Sequence, residues 1–361
     1  MKLRTGKTTV GLSALLVCLF AFAQTTELPY RILKIYKLGG IDHWDYLAFD
    51  PAGRRIFISR STHVMVVDAD SGKLLGDIPD TPGVHGIALA QELGRGFTSN
   101  GKEGTVTIFD LASLKPLGKV KVGDNPDAIL YDPASKRVFT FNGKSQDSTA
   151  IDAAKGEVVG TIPLGGKPEF GVSDEQGKLF VNIEDKSELV AIDAKKLKAD
   201  SRWPLAPCEE PTGLSIDRSN RRLFSGCHNK LMAVVDADNG KVITTLPIGA
   251  GVDATAFDPE LGRAYASCGD GSMTIVKEDS PTSFRVLQVA ATMQGARTMT
   301  LDPKTHNALL VRAQIGPPPD PHSLGEHAIR GPIVVPDSFV VLVVGNSPPP
   351  GAPQTRKSPV N

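Results

Sequence analysis

Residues 128–139 read AILYDPASKRVF, residues 254–265 read ATAFDPELGRAY, and residues 46–57 read YLAFDPAGRRIF. In each stretch an apolar run ends at Asp-Pro, a short polar turn follows, and a second apolar run carries an aromatic side chain. Related stretches, some without the proline, centre on seven anchor positions: Asp50, Ala90, Asp132, Asp174, Asp217, Asp258 and Asp302. The steps between anchors are 40, 42, 42, 43, 41 and 44 residues. Such a regular spacing indicates a repeat array.

Each repeat contains four runs of strand length. After the two runs around the anchor, a third run such as Val64–Asp68 and a fourth such as Glu157–Ile162 complete the unit. The runs are rich in β-branched residues and are bounded by Asp, Asn, Gly and Pro, and no helical period occurs after residue 25. Four strands in about 42 residues are typical of a propeller blade. We therefore predict an all-β, seven-bladed β-propeller of four-stranded antiparallel blades, in preference to an open β-solenoid.

The last repeat lacks a fourth run, and the first repeat is preceded by an extra one. Residues 31–37 read RILKIYK and lead into Leu-Gly-Gly, like the end of the fourth run at 162–166. We therefore predict that this N-terminal strand pairs near residues 338–344 and supplies the outer strand of blade seven. Closing the ring in this way removes an open junction between sheets.

Both ends of the chain differ in composition from the repeats. Residues 1–23 combine an early group of Lys and Arg, a short apolar stretch and a final Ala-Phe-Ala, which predicts a secretory signal peptide. The propeller is expected over residues 24–346, with a Pro-rich insert at about 315–336 between the second and third strands of blade seven. Residues 347–361 are predicted to be a disordered Pro-rich tail. We expect a periplasmic or secreted protein with no membrane span after cleavage.

The charge balance excludes some classes of partner. The chain has 40 basic and 40 acidic residues, so it lacks the positive charge that would favour nucleic acid or an anionic membrane surface. The densest basic stretch, residues 195–202, falls on an outer strand, where lysine guards an exposed sheet edge. We expect a monomer that binds a small molecule or a periplasmic protein.

Three cysteines remain after the predicted cleavage. Cys208 precedes the first strand of blade five, and Cys227 ends the second strand. Folding that hairpin places Cys227 opposite Thr212 and near Cys208, so we predict a disulfide between the two cysteines, which an exported protein permits. Cys268 has the position of Cys227 one blade further on, where adjacent blades diverge, and it is predicted to be a free buried thiol.

The second strands carry a recognisable signature. Residues 97–100 read FTSN and residues 139–142 read FTFN, which resemble the Tyr-Val-Thr-Asn motif of YVTN-type propellers. The third and fourth strands, for example residues 158–169, resemble the same family. The chain as a whole is similar to exported YncE-like proteins over about 41–345. The resemblance implies a propeller fold, but it brings no catalytic residues with it because that family has no agreed set.

The first strand of each blade is expected to line the central channel, where ligands enter at one mouth. The residue five positions before each anchor begins that strand. All seven such residues are polar: Asp45, His85, Asp127, Glu169, Thr212, Asp253 and Arg297. His43 and Trp44 are predicted to wall the mouth. Channel mouths are wet in any propeller, so this axial ring by itself does not require a ligand.

Two functions are compatible with the axial ring. His85 with two neighbouring carboxylates could hold a divalent metal ion, which is the candidate cofactor, and Arg297 could hold a carboxylate or phosphate. The sequence contains no Cys-x-x-Cys-His haem motif and no Gly-x-Ser-x-Gly nucleophile elbow. We therefore favour a non-catalytic binding or protein-interaction module with a polar axial site. The alternative is a metal-assisted lactonase or hydrolase at the channel mouth, which rests on analogy with other propellers.

Overall fold

The computed structural model describes residues 28–317 and 333–346, and these residues form a seven-bladed β-propeller. Each blade is a four-stranded antiparallel sheet, as predicted from the repeats. The strands of each blade are given in the order first, second, third and outer. Blade one contains Leu47–Asp50, Arg55–Arg60, His63–Asp68 and Leu74–Ile78, and blade two contains Val84–Ala90, Arg95–Asn100, Thr105–Asp110 and Pro116–Lys121. Blade three contains Pro126–Asp132, Arg137–Asn142, Asp147–Asp152 and Glu157–Pro163, and blade four contains Pro168–Ser173, Lys178–Ile183, Glu188–Asp193 and Lys198–Pro204.

The other three blades follow the same order of strands. Blade five contains Pro211–Asp217, Arg222–Cys227, Leu231–Asp236 and Val242–Pro247. Blade six contains Val252–Asp258, Arg263–Cys268, Ser272–Ser280 and Ser283–Ala291. Blade seven contains Met299–Asp302, Asn307–Arg312, Val340–Gly345 and, as its outer strand, Arg31–Lys37. The helical elements of the described ranges are two single 3-10 turns, Gln91–Leu93 and Glu184–Lys186. Neither these turns nor any other described segment is a helix long and apolar enough to cross a membrane.

The N-terminal strand closes the ring. Arg31 lies opposite Gly345 and Lys37 lies opposite Val340, so the strand Arg31–Lys37 pairs antiparallel with the third strand of blade seven, and the closure prediction is confirmed. Tyr30, just before this strand, is buried, and its hydroxyl lies 2.9 Å from that of Tyr265 in blade six. The N-terminal segment therefore attaches to two blades.

The aspartate that ends most first strands caps the turn that follows it. The backbone N–H of Gly53 donates to Oδ1 of Asp50 at 3.0 Å, for example. The buried carboxylate of Asp302 also receives a guanidinium from blade one, with Nη1 of Arg54 at 2.6 Å from Oδ1. Short polar side chains that accept local backbone N–H groups favour turns. The repeated aspartate thus fixes the turn within a blade and, at this junction, also joins two blades.

The apolar core lies between adjacent blades. The aromatic side chains of the second strands are fully buried: Phe57, Phe97, Phe139, Phe180, Phe224 and Tyr265. At the junction of blades one and two, Phe57 packs with Phe109, with ring centroids 5.9 Å apart. Burying a Phe side chain stabilises the fold by roughly 1.5–3 kcal/mol. The repeat therefore supplies each junction with one large apolar group.

The predicted ends and most of the insert lie outside the described residues. These are residues 1–27, 318–332 and 347–361. The described base of the insert is a short antiparallel ladder, in which Ile315–Gly316 pairs with Ile333–Val334. This ladder extends from blade seven between its second and third strands.

Blade five contains a disulfide between Cys208 and Cys227, with Cα atoms 5.7 Å apart. Cys227 lies opposite Pro211 and not opposite Thr212, so the expected register was wrong by one residue. The cause is a β-bulge between Pro211 and Leu214, which the turn sequence does not indicate. Cys268 is buried and outside the disulfide.

Candidate functional site at the channel mouth

Irregular strand pairing sets the direction of the axial side chains. In blades two to six, the register between first and second strands shifts beside the axial-ring residue. The five residues at these shifts are His85, Asp127, Glu169, Thr212 and Asp253. A bulge bends a strand and re-aims its side chains, and bulges are common next to functional sites. In these five blades, the start of the first strand is therefore not an ordinary ladder position.

Three axial-ring residues from consecutive blades form a cluster. Nδ1 of His85 lies 2.6 Å from Oδ2 of Asp45 and 3.9 Å from Oδ1 of Asp127. One potential ligand atom from each residue lies within 4.8 Å of the other two. The backbone N–H of Asp45 donates to Oγ of Ser59 at 3.0 Å, which holds this residue in place. One imidazole and two carboxylates form a donor set that suits several divalent transition metals.

The surroundings of His85 raise its pKa and so favour the charged imidazolium at neutral pH. Burial by itself would lower the pKa of His85, but the hydrogen bond to Asp45 and the charges of Asp127 and Asp45 outweigh it. Together they raise the pKa of His85 to about 9. The imidazolium thus neutralises part of the negative charge at the mouth, and a metal ion bound through Nδ1 would have to displace that proton.

The backbone of blade two lies directly behind the imidazole. A Cβ atom added at Gly101 would lie 2.7 Å from Nε2 of His85, which is closer than real Cβ contacts come. Because position 101 has no side chain, the imidazole ring can lie close to the main chain there. Gly101 therefore helps to fix the direction in which Nδ1 points.

Glu169 is a further carboxyl group beside this cluster. Nζ of Lys167 lies 2.6 Å from Oε1 of Glu169 and also contacts Glu184. Burial, followed by the charge of Asp127, raises the pKa of Glu169 despite the lysine. Burial likewise raises the pKa of Asp127, with the charge of His85 opposing it. The acidic side of the mouth is therefore crowded enough to favour protons or another cation.

The remaining three ring residues do not join this cluster. Nε of Arg297 pairs with Oδ2 of Asp253 at 3.2 Å, and this arginine side chain is 58% exposed. Burial raises the pKa of Asp253 although Arg297 opposes the shift. Thr212 is buried, and its hydroxyl lies 3.1 Å from the carbonyl oxygen of Val252. Within the described residues, Thr212 thus serves the backbone of the neighbouring blade, in contrast to the ligand role expected from the sequence.

Two aromatic side chains meet across the axis. The ring centroids of Tyr46 in blade one and Phe170 in blade four are 5.3 Å apart. These residues directly follow Asp45 and Glu169 of the axial ring. Burial and the surrounding carboxylates raise the pKa of Tyr46 well above its ordinary value, so the phenol stays neutral. The pair narrows the channel, and no sequence pattern indicated that these two positions would meet.

Two cavities open on either side of His43 and Trp44, which line both of them. The smaller, about 460 Å³, includes Asp45 and His85. The larger, about 730 Å³, includes Arg297. The indole of Trp44 packs against Phe339 at 5.6 Å between ring centroids. His43 and Trp44 therefore lie between the two cavities.

Comparison with known proteins supports the architecture. A chain of hydrazine synthase from Kuenenia stuttgartiensis is similar to this protein, with a TM-score of 0.65 and 16% sequence identity. The match covers 75% of this chain and 92% of that chain. No protein-family model and no curated protein matches the sequence. At this identity the likeness concerns the fold alone, and that fold is the seven-bladed β-propeller.

Proposed function

We propose that this protein is a non-catalytic β-propeller binding protein that holds a divalent metal ion at its axial mouth. The ligands would be Asp45, His85 and Asp127. The observation that carries the proposal is the position of Nδ1 of His85 between two carboxylates from the neighbouring blades. The two carboxylates and the imidazole come from three separate blades at the mouth, where ligands of propellers enter.

The electrostatics of the mouth support a bound cation. Asp45, Asp127 and Glu169 bring three carboxyl groups close together, and the negative charge that they carry when ionised raises the pKa of Glu169 and of His85. A divalent ion would bring more positive charge to the same place than the proton that it displaces. Three protein ligands would leave a coordination position open, as they do in catalytic zinc sites that accept an exogenous ligand. A metal ion here would therefore provide an attachment point for a small molecule or for a side chain of a periplasmic protein.

Calorimetric titration of metal-free protein with Zn²⁺, Mn²⁺ and Ca²⁺ tests the metal site. We expect one ion per chain, and we expect His85→Gln and Asp127→Asn each to weaken binding about tenfold or more. His63→Gln is the matched control, because this imidazole also faces a carboxylate, Asp77 at 3.6 Å, away from the axial ring. The proposal fails if none of the three ions binds, or if both site variants bind as tightly as the wild type.

A metal-assisted lactonase or hydrolase is the second candidate. The observation in its favour is that the carboxyl group of Glu169 shares the mouth with the three proposed ligands and has Lys167 beside it. A carboxyl group near a metal-bound water could transfer a proton. Hydrolysis of lactones or esters by the metal-loaded protein, lost in Glu169→Gln while metal affinity is retained, would favour the enzyme. Absence of turnover in the metal-loaded wild type would favour the binding protein.

We also propose export to the periplasm or beyond, and kinship with YncE-like propellers. The support is the composition of residues 1–23 and the strand motifs at 97–100 and 139–142. Expression of the full chain in a Gram-negative host, followed by fractionation and intact-mass measurement, tests the export. We expect a periplasmic protein that begins at Gln24, whereas a cytoplasmic protein that retains residues 1–23 would contradict it.

A further inference from the structure

We propose a second binding site at the same mouth, for a small organic anion, formed by Arg297 and Arg312. Its ligand would carry a carboxylate or phosphate group on an apolar body. The site is separate from the proposed metal site and does not depend on it. The sequence indicated Arg297 alone, because Arg312 lies at the end of a second strand and not at the start of a first strand.

The larger of the two cavities is lined by two arginines. Its polar lining includes Arg297, Arg312, Gln294, Gln314 and Thr298. None of the described residues that line it is an aspartate or a glutamate. The smaller cavity, by contrast, contains Asp45. His43 and Trp44 therefore separate this cavity from the one that contains Asp45 and His85, whose lining also includes Lys102 and Lys144.

The guanidinium of Arg312 is short of acceptors. It contacts the carbonyl oxygen of Ala313 at 3.2 Å and Sδ of Met293 at 3.8 Å. Within residues 28–317 and 333–346 it has no carboxylate partner, and its buried Nε–H has no hydrogen-bond acceptor. Leaving a buried donor unsatisfied destabilises the fold, and the effect is larger for a charged group. An anion in the cavity would supply the missing negative charge.

Arg297 presents free donors to the same cavity. Its ion pair with Asp253 engages Nε, and its two terminal nitrogens donate to no described residue. The buried Oγ1 of Thr298 next to it likewise has no partner among the described residues. Guanidinium groups bind the two oxygens of a carboxylate or phosphate in a fork geometry. Two such groups in one cavity are therefore a recognition device for an oxyanion.

The apolar part of the cavity indicates an organic ligand. Trp44, Ile315 and Val335 line it, and Ile315 is 50% exposed. The indole of Trp44 is held by Phe339, so this surface is already in place before a ligand arrives. An aromatic or aliphatic body would cover apolar surface that is now in contact with water.

Calorimetric titration of chelator-treated protein with benzoate and phenyl phosphate tests the site, with benzamide as the neutral analogue. We expect at least one of the two anions to bind and benzamide not to bind. The preferred anion identifies the head group. Arg312→Gln and Arg297→Gln should each weaken binding about tenfold or more, because each removes a charged hydrogen bond. Arg285→Gln is the matched control, because the guanidinium of Arg285 pairs with Asp279 on blade six. This variant should bind the anion as tightly as the wild type does.

Three further measurements keep the result unambiguous. Thermal melts show whether the half-buried Arg312 variant is folded, and the exposed Arg297 provides a variant that does not depend on packing. His85→Gln should keep its affinity for the anion, so that failure of the metal site and failure of the anion site are distinguishable. Inorganic phosphate should bind more weakly than phenyl phosphate. Failure of both anions to bind, or binding unchanged in both arginine variants, would overturn the proposal.

Discussion

Nδ1 of His85 in blade two lies 2.6 Å from Oδ2 of Asp45 in blade one, and this contact joins two blades at the channel mouth. Asp127 of blade three lies on the other side of the same nitrogen, at 3.9 Å. The three residues are about 40 positions apart in the chain, one repeat each. The proposed metal site is thus a product of ring closure, and no single repeat contains it.

Stability of the metal-free protein should fall as pH rises from about 6 to about 9.5. The pKa of His85 is raised to about 9, so its contribution is complete below its unfolded pKa and is lost as pH passes 9. Glu169 also has a raised pKa, so its protonated form is favoured in the folded state and the same rise in pH destabilises the fold further. The smaller rise in the pKa of Asp127 has its effect mainly below pH 6. Two charged neighbours also act on the pKa of Glu169: Lys167 lowers it and Glu184 raises it.

Glu169→Gln should make this dependence shallower, because the side chain can no longer ionise. Thermal melts followed by circular dichroism across the pH range measure the effect for both proteins in the presence of a chelator. A wild-type melting temperature that rises with pH, or a variant with the same slope as the wild type, would contradict the assignment of charge at the mouth.

Gly101→Ala should displace the imidazole of His85. The new Cβ would lie 2.7 Å from Nε2, so the ring has to move and Nδ1 with it. Such overpacking costs about 1–3 kcal/mol of stability, and we expect metal affinity to fall about tenfold. Gly118→Ala is the matched control, because a Cβ at Gly118 meets no atom within 4 Å. Equal metal affinity in the two variants would show that the position of His85 does not matter for binding.

Deleting residues 24–38 should destabilise the whole propeller. The deletion removes the outer strand of blade seven and the buried Tyr30, and it exposes the edge of Val340–Gly345. An unpaired apolar edge also promotes association between chains. Differential scanning calorimetry should show a lower melting temperature, and light scattering should show aggregation. Truncation after residue 349 is the control, and an unchanged transition in the N-terminal deletion would refute the role of this strand in closure.

Protein purified from an oxidising compartment, after loss of residues 1–23 with Cys18, should contain one free thiol when it is denatured without reductant. Cys208 and Cys227 form the disulfide, and Cys268 is the remaining cysteine of the described chain. Because the crosslink restricts the unfolded chain, the sequence separation of 19 residues implies a stabilisation of about 3 kcal/mol. Cys268→Ser should leave no free thiol. A count of three in the wild type would show that the disulfide is absent.

The repeat number, the closing strand and the turns could all be predicted from local sequence. The turns at Asp50, Asp132 and their equivalents could be predicted because a capped turn depends on hydrogen bonds within a few residues. The burial of the aromatic residues in the second strands, such as Phe57, could be predicted because the alternation of side chains along a strand is also a local property. Strand Arg31–Lys37 was identified from the same kind of pattern. These features follow from short-range preferences that each repeat expresses independently.

Only the folded ring shows which polar residues meet at the mouth. His85 joins Asp45 and Asp127, whereas Thr212, at the same position of its blade, bonds to the backbone. Arg312 reaches the mouth from a different strand, so counting positions from the anchors could not find it. The physical reason is that distances across the axis depend on bulges and on the packing of seven blades. These are collective properties of the closed ring, and no single stretch of sequence encodes them.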